Sequence, residues 1–311
     1  MDSVHFRKAT ASDYNEVVSL RTHLYNGMDY LPSQYHRLLE NHIGYCGCIG
    51  NQMVSFMFAA LIDDEETIVI RAARVKKEYE NKGIYTKMRQ YCLHNSSKTV
   101  RRESFTLFSS DHRDSAILKG GQLVWQRGRI VLVAENRTIQ TILQSVSLPD
   151  ALRIVDDRSL AELFCSSEST RQLFPEDFIV VNSVPYKIRM FNISHFLTSD
   201  RSMYASYPKY NEQRQIPTPT LVSIANKYRC EAGTRFNVDF YGDVCKEEEV
   251  SDHIFLQMKR YLSESDDEIF MYVTFPLHTK DGVLLDVLER FSWRVMRRGF
   301  QYGVEHHAHL N

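Results

Sequence analysis

Two hydrophobic periods alternate along the first 145 residues, and the order in which they alternate leaves few folds open. Residues 4–9 carry a strand pattern. Thr10, with Asp13 three residues on, resembles a capping box, and Tyr14, Val17, Val18, Leu24 and Tyr25 keep helical spacing, so a helix is expected to run to about Tyr25. Asn26-Gly27 ends it, and a second helix with Tyr35, Leu38 and Leu39 on one face begins around Gln34. Two or three antiparallel strands are expected over 45–49, 52–62 and 67–75, with turns at Gly50-Asn51 and along the acidic run Asp63 to Glu66. Ile84, Met88, Tyr91 and Cys92 then mark an amphipathic helix that starts directly after Gly83. A strand over 103–108, a short helix over 111–119 and one or two strands over 123–134 complete the order β-α-α-β-β-β-α-β-α-β. Such an order predicts an α/β (α+β) architecture, a mixed and mostly antiparallel sheet flanked by helices.

The remaining chain repeats the style. Leu148-Pro149-Asp150 predicts a boundary, dividing the chain into residues 1–147 and 148–311, with a helical connector over 150–174. Beyond it come a strand-like run over 178–191, a strand over 235–241, a helix over 247–262, a strand over 269–275 and a helix over 281–291. Residues 207–220, with three prolines among polar residues, form the best surface-loop candidate.

Charge and composition exclude several functions. Lys plus Arg number 38 against 39 Asp plus Glu, so no broad cationic field exists for a nucleic-acid backbone. The longest apolar run, Met53 to Ile62, is far short of the ~20 residues that cross a bilayer, and residues 1–5 show no signal-peptide pattern, so no membrane partner and a cytoplasmic location are expected. Six cysteines are too sparse for a disulfide framework, and free, buried thiols are expected. His306, His307 and His309, on a tail without Cys or carboxylate partners, predict no metal site.

Chemistry concentrates in residues 68–88, where a strand, a short loop and a helix start follow one another. The first amides of a helix lack intrahelical acceptors and sit at the positive end of its dipole, so such a junction can seat an anion. Gly83 would let a ligand approach the backbone closely. An ordinary strand-to-helix turn would read the same way.

The run Arg74-Val75 through Glu80-Asn81-Lys82-Gly83-Ile84-Tyr85 resembles the acetyl-CoA signature of the GCN5-related N-acetyltransferase (GNAT) superfamily, and it falls after the fourth strand, where that family keeps it. The resemblance implies tandem GNAT-like halves, acetyl-CoA as cosubstrate and a diphosphate seat at Val75, Glu80, Asn81, Lys82, Gly83, Ile84, Tyr85 and Thr86. Glu80 stands where the family has Gln or Arg and would repel phosphate unless it turns away. Tyr85 replaces a small residue and must point off the loop. Residues 25–36 resemble the vertebrate histidine N-acetyltransferase group, whose members carry the cofactor motif in the N-terminal half only; Val273 to Asp281 shows no phosphate loop.

That resemblance implies direct acetyl transfer to the α-amine of a free amino acid, with histidine favoured. Another small amine, a protein N-terminus, or a noncatalytic binding protein are the alternatives. The transfer requires loss of a proton from the amine. Asp111 and His112, just after the strand ending near Phe108, are the candidate catalytic residues; Asp111 would also serve as a plain helix cap. Leu118 occupies the position where relatives place a Tyr acid. Arg71 is the candidate partner for a substrate carboxylate, or else a structural ion-pair residue, and Asp29 and Tyr30 are candidates for an amine or imidazole.

Overall fold

The computed structural model describes residues 4–145, 152–196, 198, 201–207, 218–263, 268–279 and 281–308. The N-terminal elements are β1 (His5–Lys8), α1 (Tyr14–Ser19), α2 (Leu31–Asn41), β2 (Ile43–Ile49), β3 (Gln52–Ile62), β4 (Thr67–Val75), α3 (Ile84–His94), β5 (Arg102–Leu107), α4 (Ser110–Leu118), β6 (Gln122–Glu135) and α5 (Asn136–Ser145). After them come β7 (Leu152–Ile154), α6 (Asp157–Cys165), α7 (Ser167–Leu173), β8 (Phe178–Val181), β9 (Val184–Lys187), α8 (Ile193–Phe196), β10 (Arg201–Ser206), β11 (Leu221–Cys230), β12 (Gly233–Gly242), α9 (Glu247–Tyr261), β13 (Glu268–Pro276), α10 (Asp281–Arg290) and β14 (Arg294–His307).

Twelve of the strands form one sheet in the order β1-β2-β3-β4-β5-β14-β6-β13-β12-β11-β10-β7; β8 and β9 form a separate hairpin. All neighbours are antiparallel except two pairs, β4 with β5 and β12 with β13. The expected mixed, mostly antiparallel architecture is therefore present. The two halves exchange their last strands: β14 lies between β5 and β6 in the N-terminal set, while β6 pairs with β13 in the C-terminal set. Neither half has a complete sheet of its own.

Helices cover the faces. Val250, Ile254 and Met258 of α9 and Leu284 and Leu288 of α10 are fully buried against Phe236, Val238 and Phe240 of β12. Each large apolar side chain buried in this way contributes roughly 1.5–3 kcal/mol. In the N-terminal half, Val17, Leu31 and Tyr35 pack on Phe56 and Phe58 from one side, and Met88 and Cys92 of α3 pack on Tyr45 and Met57 from the other.

Several sequence expectations change. The first helix stops at Ser19, not near Tyr25, because the following chain is diverted to the other half: Gly27 accepts a hydrogen bond from the Ala232 amide at 3.0 Å, and Met28 packs with Val133 and Phe270. His23, Tyr25 and Asn26 take positive φ along this detour. The run 178–191 is a hairpin turned at Asn182-Ser183, both left-handed, followed by a short 3-10 turn. His306 and His307 belong to β14, opposite Glu103 and Arg102, rather than to a loose tail. All six cysteines are free, but Cys165 and Cys245 are exposed. The boundary near 147/148, residues 208–217 of the surface-loop candidate and His309 lie outside the described residues. Among the described residues no helix is long and apolar enough to cross a membrane, and no three His, Cys, Asp or Glu groups gather as a metal site.

Buried titratable groups give the fold a pH signature. His253, fully buried between the hydroxyls of Ser206 (3.0 Å) and Ser223 (2.7 Å), is held by burial down to about 3, and burial followed by the charge of Arg71 holds His42 there too. Unfolded, both rings take up protons below about 6.5, so their contribution is complete above that pH and is lost as pH falls toward 3. Buried Asp239 acts oppositely: raised to about 6 by burial, it binds a proton in the folded chain first and offsets one histidine between pH 6 and 3.8. The expected net loss in that window is about 1.4 kcal/mol per pH unit. Urea melts at pH 6 and pH 4.5 measure it, and His253→Gln is expected to flatten the dependence.

Candidate functional site

The two parallel pairs behave differently. β12 and β13 stay paired from Thr234 and Ile269 as far as Asp239 and Thr274, whereas β4 and β5 pair only over Thr67 to Val69 and Arg102 to Ser104 and then separate. The separation follows from β4 itself. β4 carries a bulge, with Arg71 and Arg74 opposite Phe58 and Phe56 and two residues, Ala72 (φ 48) and Ala73, against the single Met57, and it turns the far end of β4 away from β5. At that end a cleft of about 550 Å³ opens, lined by Ala73, Arg74 and Val75 of β4, by the loop and first turn of α3, and by Arg21, Leu24 and Tyr25.

The loop is built to present amides. After the 3-10 turn Lys77–Tyr79, Asn81 (φ 59) and Gly83 (φ 74) are both left-handed, and no side chain caps α3. Tyr79 and Glu80 spend their N–H groups on Lys76 and Lys77 carbonyls, but among the described residues the N–H groups of Asn81 through Thr86 donate to no protein acceptor. A Cβ built on Gly83 meets no atom within 4 Å. The seat is therefore unobstructed, and its donors are free for an anion.

Of the residues expected to hold the diphosphate, Val75, Glu80, Asn81, Gly83, Ile84, Tyr85 and Thr86 all line the cleft. Lys82 does not; its ammonium lies 5.0 Å from the centre of the Tyr79 ring. Glu80 does not confront the seat as a bare charge, because Arg21 forms an ion pair with it. Tyr85, partly exposed, has its hydroxyl pushed up by burial and by Glu103, the carboxylate that Arg89 binds. Arg21 was the residue invisible to sequence reasoning, since nothing in the spacing joins positions 21 and 80.

The acceptor candidates are placed by both halves. Asp29 is buried, accepts the Leu31 amide at 3.2 Å and pairs with buried Arg74 at 2.9 Å. Tyr30 lies beneath the Arg71 guanidinium, 5.3 Å from ring centre to Cζ. Among the described residues Arg71 forms no salt bridge; its hydrogen bonds go to His42 Nε2 and the Asn182 carbonyl, each at 3.1 Å. Asp111 and His112 stand exposed on the first turn of α4 and are not part of the cleft lining. The cap of α4 is Ser109, whose hydroxyl accepts the His112 amide, and not Asp111. Leu118 is exposed at the other end of that helix.

In the C-terminal half the corresponding junction is β12 to α9, not the segment 273–281. It is closed: Arg127 lies 4.1 Å over the Tyr241 ring, whose hydroxyl is held at 2.7 Å by both backbone groups of Val180. Glu247, Glu248 and Glu249 also occupy the first turn of α9, where they complement the dipole and repel an anion.

Comparison with known proteins concerns the chain as a whole. Residues 147–276 match the family described as "Histidine N-acetyltransferase, C-terminal". A histidine N-acetyltransferase from Oreochromis niloticus is 19% identical over 260 residues, covering 77% of this chain and 74% of the relative. A tandem GNAT protein from the clavulanic acid biosynthesis pathway superposes with a TM-score of 0.58 at 9% identity, covering 98% of this chain and 99% of that one. A GCN5-related N-acetyltransferase from Sphaerobacter thermophilus gives 0.52 at 8% identity, with 98% and 96% covered. The tandem fold expected from the motif and the element order is thus the fold observed.

Proposed function

We propose that the chain is a histidine N-acetyltransferase-like member of the GNAT superfamily that transfers acetyl from acetyl-CoA to the α-amine of a free amino acid, histidine first among them. The observation that carries this reading is the run of amides from Asn81 to Thr86, unpaired among the described residues, at the mouth of the cleft beside α3. Acetyl-CoA supplies the activated acyl group. Its diphosphate fits the amides and the dipole of α3, and Ala73 to Val75 offer a β4 edge that β5 has left free. The second half then serves the acceptor side.

The amine must shed a proton before it can attack. Glu80 is the only carboxylate lining the cleft among the described residues, and Arg21 holds it. His42, beside Arg71, is too weak a base at about 3 to take a proton at neutral pH. In this reading the proton leaves to solvent, and Asp111 and His112, exposed on α4 outside the cleft lining, would relay it only from there.

Titration calorimetry with acetyl-CoA tests the donor half of the reading, and no heat at millimolar ligand would end it. A panel of free amino acids with thiol-release detection tests the acceptor half. Formation of Nα-acetylhistidine ahead of the other products is the expected result; equal turnover of unrelated amines would transfer the reading to a general amine acetyltransferase.

A further inference from the structure

Next to the inner end of the cleft, the two halves enclose a second cavity of about 80 Å³. α2 and β4 supply one wall, and the β8–β9 turn, α8 and the start of β10 supply the other. That space is small beside the cleft of about 550 Å³, and it suits one end of an acceptor held mainly in the cleft. Among the described residues its lining includes Arg71, Arg201, His42 and His195 and no Asp or Glu; Arg37, which also lines it, has partners of its own.

Such a charge balance is costly for a folded chain. Arg71 is only 8% exposed, and its partners are an imidazole nitrogen, a carbonyl and the Tyr30 ring, none of them an anion. Arg201 donates to the His195 carbonyl, while its Nε is buried without a partner, as is Nδ1 of His42. Of the nearby Asp63 carboxylate, Oδ1 accepts the Lys187 amide (3.0 Å) and the Asn192 side chain (2.7 Å), while Oδ2 is buried with no hydrogen-bond partner among the described residues and forms no ion pair with either arginine. A buried guanidinium without a counter-ion persists where a ligand supplies one. The hairpin tip holds the arrangement, since Asn182 O fixes Arg71 and Ser183 O accepts from Thr106 of β5 at 2.8 Å.

We propose that Arg71 of the N-terminal half and Arg201 of the C-terminal half together bind the carboxylate of the acceptor amino acid, so that the second half completes the acceptor site. This rests on the acetyltransferase reading and extends it, because it makes a free α-carboxylate the required feature of the acceptor. Arg71 lies two residues before Ala73, about 7 Å along a strand, which brings the amine of a bound amino acid toward the cleft.

The test is equilibrium binding to the full chain loaded with CoA, which needs no turnover, using L-histidine, other L-amino acids and the corresponding decarboxylated amines. The best-bound amino acid is expected to exceed its amine by at least thirtyfold, and Arg201→Gln or Arg71→Gln is expected to bring the two within threefold while leaving CoA affinity unchanged. Arg71→Gln is also expected to melt no lower than the parent without ligand, since it removes a buried cation that has no anionic partner among the described residues; a purely structural arginine would lower the melting temperature. Equal binding of acid and amine by the parent, or a loss in Arg201→Gln shared equally by both, overturns the proposal. So does binding of inorganic phosphate that fails to compete with the amino acid, which would make the cavity a separate anion site. Failure of CoA itself to bind, measured first, sinks the function reading instead; the amino acid and amine arms are then run on the free chain and decide the cavity alone.

Discussion

A chain ending at Trp293, and so lacking β14, is expected to lose its cooperative unfolding transition and to leave the soluble fraction. β14 runs between β5 and β6, pairing with β6 from Arg294 to Glu305 and with β5 from Tyr302 to His307. Removing it exposes two strand edges in the middle of the sheet. It also deletes buried Tyr302 and Val304, each contributing roughly 1.5–3 kcal/mol, and uncovers Trp125, which packs so closely on Gly303 that a Cβ there would fall 1.9 Å from the indole nitrogen. Against a total stability of about 5–15 kcal/mol, the roughly 3–6 kcal/mol of those two side chains is a large share before the two opened strand edges and the uncovered Trp125 are counted. The same exchange predicts that residues 1–147 and 148–311 fail when expressed apart and recover when expressed together, because each holds the strand that the other needs. Circular dichroism melts of the truncated chain and of the co-purified halves check both statements; a truncated chain with a sharp, reversible melt would mean that β14 is dispensable.

The elements that sequence periodicity located are those whose own residues decide their state. β3 and β4 are apolar runs, and α3, α9 and α10 carry clean helical faces. What escaped was decided by distant partners. β14 reads Arg-Val-Met-Arg-Arg-Gly-Phe in its first half, largely exposed and without a strand-like apolar face, so only the gap between β5 and β6 makes it a strand. The first helix is cut short by contacts with residues in the other half, near Ala232. The anion seat was legible because a strand, a left-handed glycine and a helix start are consecutive in the chain. Its guard was not: Glu80 is balanced by Arg21, and Arg71 faces Arg201, through pairings that depend on the fold alone.

Gly83→Val is expected to weaken acetyl-CoA binding by about ten- to a hundredfold with the fold retained. Gly83 sits at φ 74, so any side chain there costs about 1–2 kcal/mol of backbone strain, but the added atoms meet nothing in the protein within 4 Å. What they occupy is the space in front of the free amides of Asn81 to Thr86, and each charge-assisted hydrogen bond lost is worth roughly 1.5–3 kcal/mol, one to two decades in affinity. Gly120, at φ 88 with equally open surroundings at the end of α4 and away from the cleft, separates the two effects. Gly120→Val should lower the melting temperature by a similar amount and leave the ligand untouched. Calorimetric titration of both variants beside the parent decides the matter: equal affinity across all three would place the diphosphate somewhere other than the α3 terminus, because a group seated on those amides cannot share its space with a valine side chain.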